Sequence, residues 1–258
     1  MPDLRQIKNR MNTVKSTKKI TKAMYLISAS RMNKARNLLK LATPYVTAFS
    51  NIASYLRTVH NNDNISYLII TSDRGMCGSF NSTLIKFAAL QIQSAKEIIF
   101  VGRSGYSSLK GLFKDKDVNL TLIEHNKIPE VNFAKKIASL LVKKNQDIRI
   151  IYTEFISVIK NLPSMLSLGS GLIEGDKSMN LEPSDILDSF YIDYINSQIY
   201  RALIHSTVSE HSTRMRAMDS ASKNSLELLE CLNTQYNRQR QAIVTRELIE
   251  VVSGAEAI

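Results

Sequence analysis

The chain has 258 residues, 44% of them apolar, with a formal net charge of +11, which allows one domain or two and a true hydrophobic core. It holds no run of about eighteen apolar residues, which excludes a membrane-crossing helix, and Met1-Pro2-Asp3-Leu4-Arg5-Gln6 lacks the apolar stretch of a secretory signal, so a soluble protein kept inside the cell is expected. Cys77 and Cys231 lie far apart and fit neither a disulfide framework nor a zinc spacing.

The charge is uneven. Residues 1–60 hold twelve Lys and Arg against one acid, Asp3, whereas residues 61–189 and 190–258 are each close to neutral. The basic segment should therefore seek an acidic surface: nucleic acid, anionic lipid or acidic protein loops. Within it, Leu4, Ile7, Met11, Val14, Lys18, Thr21, Tyr25, Ser28, Met32, Ala35 and Leu39 step by three and four. That period predicts a long helix with a coiled-coil seam. Lys18, Thr21 and Ser28 make the seam impure, which a standard two-stranded zipper would not do; a close partner helix or a socket in another protein could accept them. Pro44 should kink this helix, because it removes a backbone donor and crowds the preceding turn. Helical pattern resumes through Val46, Phe49, Ile52, Tyr55 and Leu56 and ends at Asn61-Asn62-Asp63-Asn64.

The middle changes character. Ile65–Thr71, Ile98–Val101 and Ile148–Tyr152 are short β-rich runs, with a weaker one at Leu120–Ile123. Helix-like segments near 80–95, 104–113 and 131–144 separate them. Alternation of this kind predicts a small parallel sheet, and continuously apolar strands predict cover on both faces. Residues 161–185 carry Pro163, Gly169, Gly171, Gly175 and Pro183 and read as loops with an edge strand near 165–173.

From about Ile186 to Val252 the chain is helical again, and Gly254 supplies a stop. Met215, Met218, Ser222, Ser225, Leu229, Leu232, Tyr236, Gln239 and Ile243 form a second seam. At ~1.5 Å per residue the two terminal helices would run roughly 85 and 100 Å, so both should project from the middle domain and fold back as an antiparallel pair. The expected architecture is α/β: a long antiparallel coiled coil of the N- and C-terminal helices (residues 1–60 and 186–258) with a small central Rossmann-like α/β domain (61–185).

Sites of chemistry are sparse. No phosphate-binding glycine motif occurs; Val101-Gly102-Arg103-Ser104-Gly105 reads as a turn between strand and helix. The loop Thr71–Asn81 has the position of a ligand loop in an α/β sheet. Ser72, Asp73 and Cys77 there suggest nucleophilic chemistry, but no histidine is near in sequence, and a structural role is favoured, with Asp73 and Arg74 tying the loop. His205 and His211 are six apart, on different helix faces, and do not make a metal pair. Cys231, among leucines, reads as a small core residue. Lys15, Lys18, Lys19 and Lys22 cluster within two turns: a solvated face, or a polar bearing surface against acidic loops. No cofactor or metal is expected. The alternative, a basic coiled-coil nucleic-acid-binding protein, lacks aromatic interleaving and any known module.

Three stretches carry a resemblance. Ile7-Lys8-Asn9-Arg10-Met11 through Thr17–Met24 and Ser28-Ala29-Ser30-Arg31-Met32 resemble the N-terminal helix of F-type ATP synthase gamma subunits. Ser72–Gly78 resembles the family's loop after its first strand, and Arg238–Ala255 its C-terminal signature, with Ser209–Met218 a further match. The resemblance implies a non-catalytic rotor subunit of the central stalk, coupling c-ring rotation to the beta catalytic sites. It implies as partners the hexamer of alpha and beta subunits, the epsilon subunit and the c-ring, with no nucleic acid and the membrane only through the complex. It places Arg240, Gln241 and Thr245 at a catch loop of the catalytic subunits, and Met24, with Lys18, Lys19 and Lys22 nearby, at acidic lever loops of beta. Cys77 would face the underside of the hexamer, Leu248–Ile258 would run in an apolar sleeve, and Glu182 would lie in the foot beside epsilon and the c-ring. The middle domain is short for a bacterial member, and the segment before Glu182 looks trimmed. The implied location is peripheral, on the cytoplasmic face of the bacterial inner membrane, or on the matrix side in an organelle.

Overall fold

The computed structural model describes residues 4–59, 65–92, 95–113, 118–124, 128–142, 146–169, 171–174 and 184–256. Two helices bracket the chain: α1 (Leu4–Ala53) and α5 (Ser184–Glu256). Between them run β1 (Leu56–Val59), β2 (Ile65–Ile70), α2 (Phe80–Gln91), β3 (Glu97–Val101), α3 (Arg103–Leu109) with a 3-10 turn at Lys110–Phe113, β4 (Asn119–Ile123), α4 (Val131–Val142), β5 (Asp147–Phe155), β6 (Asn161–Ser167) and β7 (Gly171–Glu174). None of the described helices is long and apolar enough to cross a membrane.

Both seams read from the sequence are the residues that lose solvent. All eleven positions from Leu4 to Leu39 and all nine from Met215 to Ile243 are buried or half-buried, while the intervening positions are mostly exposed. The chain divides into two compact units: Met1–Ile27 with Met215–Ile258, and Ser28–Arg214. In the first, Tyr25 borders the same small cavity as Met215, Asp219 and Lys223, and Ile7, Thr21, Met218, Ser222 and Leu232 are buried. This unit holds only two helical segments, so each seam is covered by the other. Ile27 and Met215 lie toward one end and the two segments run antiparallel.

The second unit contains the sheet and the inner parts of both helices. Its main sheet has the order β4-β3-β2-β5-β6. β2, β3, β4 and β5 are mutually parallel and β6 closes one edge antiparallel to β5. All of β2 and β3 is buried, the polar Ser66 and Glu97 included, as in a sheet covered on both faces. Tyr67, Ile69, Ile98 and Phe100 pack in one cluster with Leu84 and Ala88 of α2 and Leu109 of α3. α1 and α5 pair antiparallel here too: Phe49 stacks on Phe190 at 5.6 Å, Gln198 Nε2 donates to Ser50 Oγ at 2.9 Å, and Arg31 and Lys34, earlier on α1, line a cavity with His211 and Arg214, later on α5.

α1 holds Pro44 within its helical span. Three local expectations change. The helix stops at Ala53 rather than near residue 60, because Leu56–Val59 pairs antiparallel with Gly171–Glu174, a strand more than a hundred residues away; helical spacing was overridden by that distant partner. The edge strand expected near 165–173 is two strands, β6 and β7, in different sheets. α5 passes through Gly254 to Glu256, where a Cβ would meet open space, so glycine is permitted there without stopping the helix.

Candidate functional site

The loop after β2 sits at the carboxyl edge of the sheet, beside the point where the strand order reverses between β2 and β5, the usual place for a ligand in such folds. Here its polar groups hold the loop itself. Asn81 accepts from the Ser72 amide at 3.1 Å and donates Nδ2 to Ser72 Oγ at 2.8 Å and to Cys77 Sγ at 3.3 Å. Ser72 Oγ donates to the Arg74 carbonyl at 2.8 Å. Asp73 Oδ1 accepts from the Arg103 amide at 3.0 Å, capping the start of α3. Gly102 is at φ +99 and a Cβ on it would stand 2.4 Å from the Thr71 carbonyl oxygen. Thr71 Oγ1 in turn accepts from the Gly105 amide at 3.0 Å. The two glycines of this turn therefore let β2 and α3 approach closely.

α5 lies over this edge and is bonded to it. Ser206, Ser209 and Ser212, one every three residues, donate to the carbonyls of Ile70 (3.4 Å), Thr153 (3.3 Å) and Val158 (2.8 Å). His205 Nδ1 accepts from the Phe155 amide at 3.2 Å. One turn on, Arg214 donates to the carbonyls of Arg74 (3.0 Å) and Gly75 (3.4 Å) and pairs with Glu210 Oε1 at 2.7 Å. Burial raises the Glu210 carboxyl pKa, opposed by Arg214. Burial lowers both His205 and His211 to about 4, helped by neighbouring arginines, so both imidazoles are neutral acceptors. They serve different contacts. Among the described residues no group of three His, Cys, Asp or Glu is placed to hold a metal.

The residues singled out by sequence fall into separate places. Lys18 is half-buried in the seam; Lys22 is exposed, its Nζ 4.8 Å over the Tyr25 ring, with Met24 half-buried alongside. Arg240, Gln241 and Thr245 are exposed on α5, roughly 30 Å along the helix from the residues bordering Tyr25 at ~1.5 Å per residue. Beyond them Leu248, Ile249, Val251 and Val252 are 55–69% exposed, a density of bare apolar surface that calls for a partner. Cys77 is only 3% exposed; beside it Met76 is 63% exposed and at φ 59. Cys231 is exposed, not a core residue, because it lies outside the seam between Leu229 and Leu232. Glu182 lies outside the described residues. Sequence reasoning missed Asn81 and the target of Arg214. The spacing of Glu210 and Arg214 signals an ion pair on one helix face, but nothing local says that the guanidinium also reaches the β2–α2 loop.

A small α/β sheet whose ligand edge is bonded to its own covering helix, in a chain bracketed by two long helices with mixed seams, defines the class of protein. The ATP synthase family profile matches residues 3–258. The chain is 33% identical to the ATP synthase gamma chain of Hyphomonas neptunium over 295 positions, covering all of both chains. It is 35% identical to that of Alkaliphilus metalliredigens over 286 positions, covering 99% of this chain and 98% of the relative. Among solved structures, a chain of the Euglena gracilis mitochondrial ATP synthase superposes with a TM-score of 0.76 at 17% identity, covering 98% of this chain and 94% of that one. A chain of the Tetrahymena thermophila mitochondrial ATP synthase central stalk and c-ring superposes at 0.64 with 23% identity, covering 79% and 99%. The chain belongs to the ATP synthase gamma-chain family.

Proposed function

We propose that this chain is the non-catalytic rotor of a proton-translocating F-type ATP synthase, coupling c-ring rotation to the cycling of the catalytic sites. The observation that carries this is family membership over the whole length, together with the continuous buried seams on both terminal helices. Residues 1–60 and 186–258 form the shaft and 61–185 the body that meets the foot of the complex. An asymmetric shaft presents a different face to each surrounding subunit, and each nucleotide site is driven through open and closed states by rigid-body coupling. Nucleotide chemistry happens on the partners.

The contacts are those that the family resemblance implies. Lys18, Lys22 and Met24 bear on acidic loops of beta subunits, which gives the N-terminal charge excess its purpose. Arg240, Gln241 and Thr245 engage a catch loop of the alpha–beta hexamer, and the apolar tip from Leu248 onward fits a greasy sleeve. The loop of Cys77 meets the hexamer through its exposed residues, Met76 among them. Glu182 belongs to the foot beside epsilon and the c-ring. The chain is peripheral, held at the membrane by the complex. Family membership supports this reading and gives the nucleic-acid alternative nothing. The test is affinity purification of the tagged chain from native membranes. Alpha and beta subunits should co-purify in threefold excess, and the pure chain should show no ATP turnover. Recovery of the chain with nucleic acid but without those subunits would overturn the proposal.

A further inference from the structure

A cavity of about 420 Å³ opens at the carboxyl ends of β2 and β3, bounded by α1, α5 and the β2–α2 loop. We propose that it is an anion site for a small phosphate-bearing ligand, held by Arg31 and Lys34 of α1 and Arg74 of the loop. Its place in the sheet is where doubly wound folds bind ligands, and its size suits a small molecule. The cavity lining holds four cations and three carboxylates, a formal balance of +1. Glu210 is paired with Arg214 at 2.7 Å, and Arg103, outside the lining, stands 3.9 Å from Asp73. Arg31, Lys34 and Arg74 therefore face Asp73 and Glu130 across a mouth that stays net positive. Among the described residues, none of these three cations is in an ion pair within 4.0 Å. His211 on the inner wall is neutral and adds no counter-charge. Two guanidinium forks and an ammonium converging from two elements match the oxygens of a phosphoryl group better than a single carboxylate.

A ligand that bridges α1 to Arg74 must hold the β2–α2 loop closed, and Cys77, the buried thiol of that loop, reports its opening. The experiment uses the full chain with Cys231→Ser, so that Cys77 is the single thiol, and inorganic pyrophosphate as probe at constant ionic strength. Thiol labelling of Cys77 should slow saturably, by about tenfold at ten times the dissociation constant, and the phosphorus resonance of pyrophosphate should broaden. Arg31→Gln with Lys34→Gln should abolish both effects, whereas Lys15→Gln with Lys19→Gln, elsewhere on α1, should leave them intact. Labelling that never saturates, or protection lost equally in both double variants, would mean diffuse attraction to a basic helix and would end the proposal. Protection by a glutamate-rich peptide but not by pyrophosphate would overturn it in favour of a carboxylate-bearing partner.

Discussion

Arg214 is the single side chain whose loss should most loosen the sheet from its covering helix. Its side chain is 8% exposed and that of Glu210 19%, with 2.7 Å between them. Arg214→Ala leaves Glu210 as a buried carboxylate without its main counter-charge, and breaking such a pair costs about 3–5 kcal/mol. Arg31 still lowers the Glu210 pKa from a distance, and the orphaned carbonyls of Arg74 and Gly75 belong to exposed residues that water can reach. The lower end, about 3 kcal/mol, is therefore expected. At ~1.4 kcal/mol per factor of ten, that raises Cys77 thiol labelling by about 100-fold in a Cys231→Ser background. Urea unfolding followed by circular dichroism should show a lowered midpoint. Adding Glu210→Gln to Arg214→Ala should recover most of the loss, because the stranded charge is gone. A loss below about 1 kcal/mol, or no recovery in the double variant, would mean that the Ser72–Asn81 network alone holds the loop, and the reasoning would fail.

Acidification should destabilise the chain through its histidines. The folded state holds His205 and His211 at about 4 against an ordinary 6.5, so the unfolded chain binds more protons between those values and stability falls as pH drops from 6.5 to 4. Each contributes on the order of 3 kcal/mol, while Glu210, with its pKa raised, opposes the trend; urea midpoints at pH 7.5 and 5 should differ, and His205→Gln should flatten the dependence. Gly102→Ala forces a Cβ to 2.4 Å from a backbone oxygen at φ +99 and should cost more than about 3 kcal/mol, whereas Gly111→Ala, with nothing within 4 Å, should change stability by less than about 1 kcal/mol; paired unfolding curves check both. Lys22→Glu should alter the isolated chain by less than about 1 kcal/mol, since Lys22 is exposed and stands over the Tyr25 ring, yet should reduce ATP-driven proton pumping by the assembled complex several-fold; unchanged pumping would remove Lys22 from the bearing surface.

The terminal helices were legible because their signal is local and repeated. Seam positions recur every three or four residues, and solvent is lost at those positions, including the polar Lys18, Thr21 and Ser28. The parallel strands were legible for a related reason, as runs covered on both faces must be apolar throughout. What escaped was set by distant partners. Leu56–Val59 has helical spacing but pairs with Gly171–Glu174. Cys231 sits among leucines, yet the seam passes on either side of it. The tie from Arg214 to the carbonyls of Arg74 and Gly75 spans about 140 residues, and no short-range pattern encodes it.

The three serine hydroxyls of α5 that hold the carbonyls of Ile70, Thr153 and Val158 also set where this molecule can store elastic energy. Advancing the helix by one residue would swing each hydroxyl by about 100° and move it ~1.5 Å, breaking all three bonds at once. Creep along that track is thus all-or-none, and a modest twisting load leaves residues 206–212 seated on β2, β5 and the turn after β5. Compliance must then come from stretches lacking such rivets, so a torsional spring belongs outside that segment.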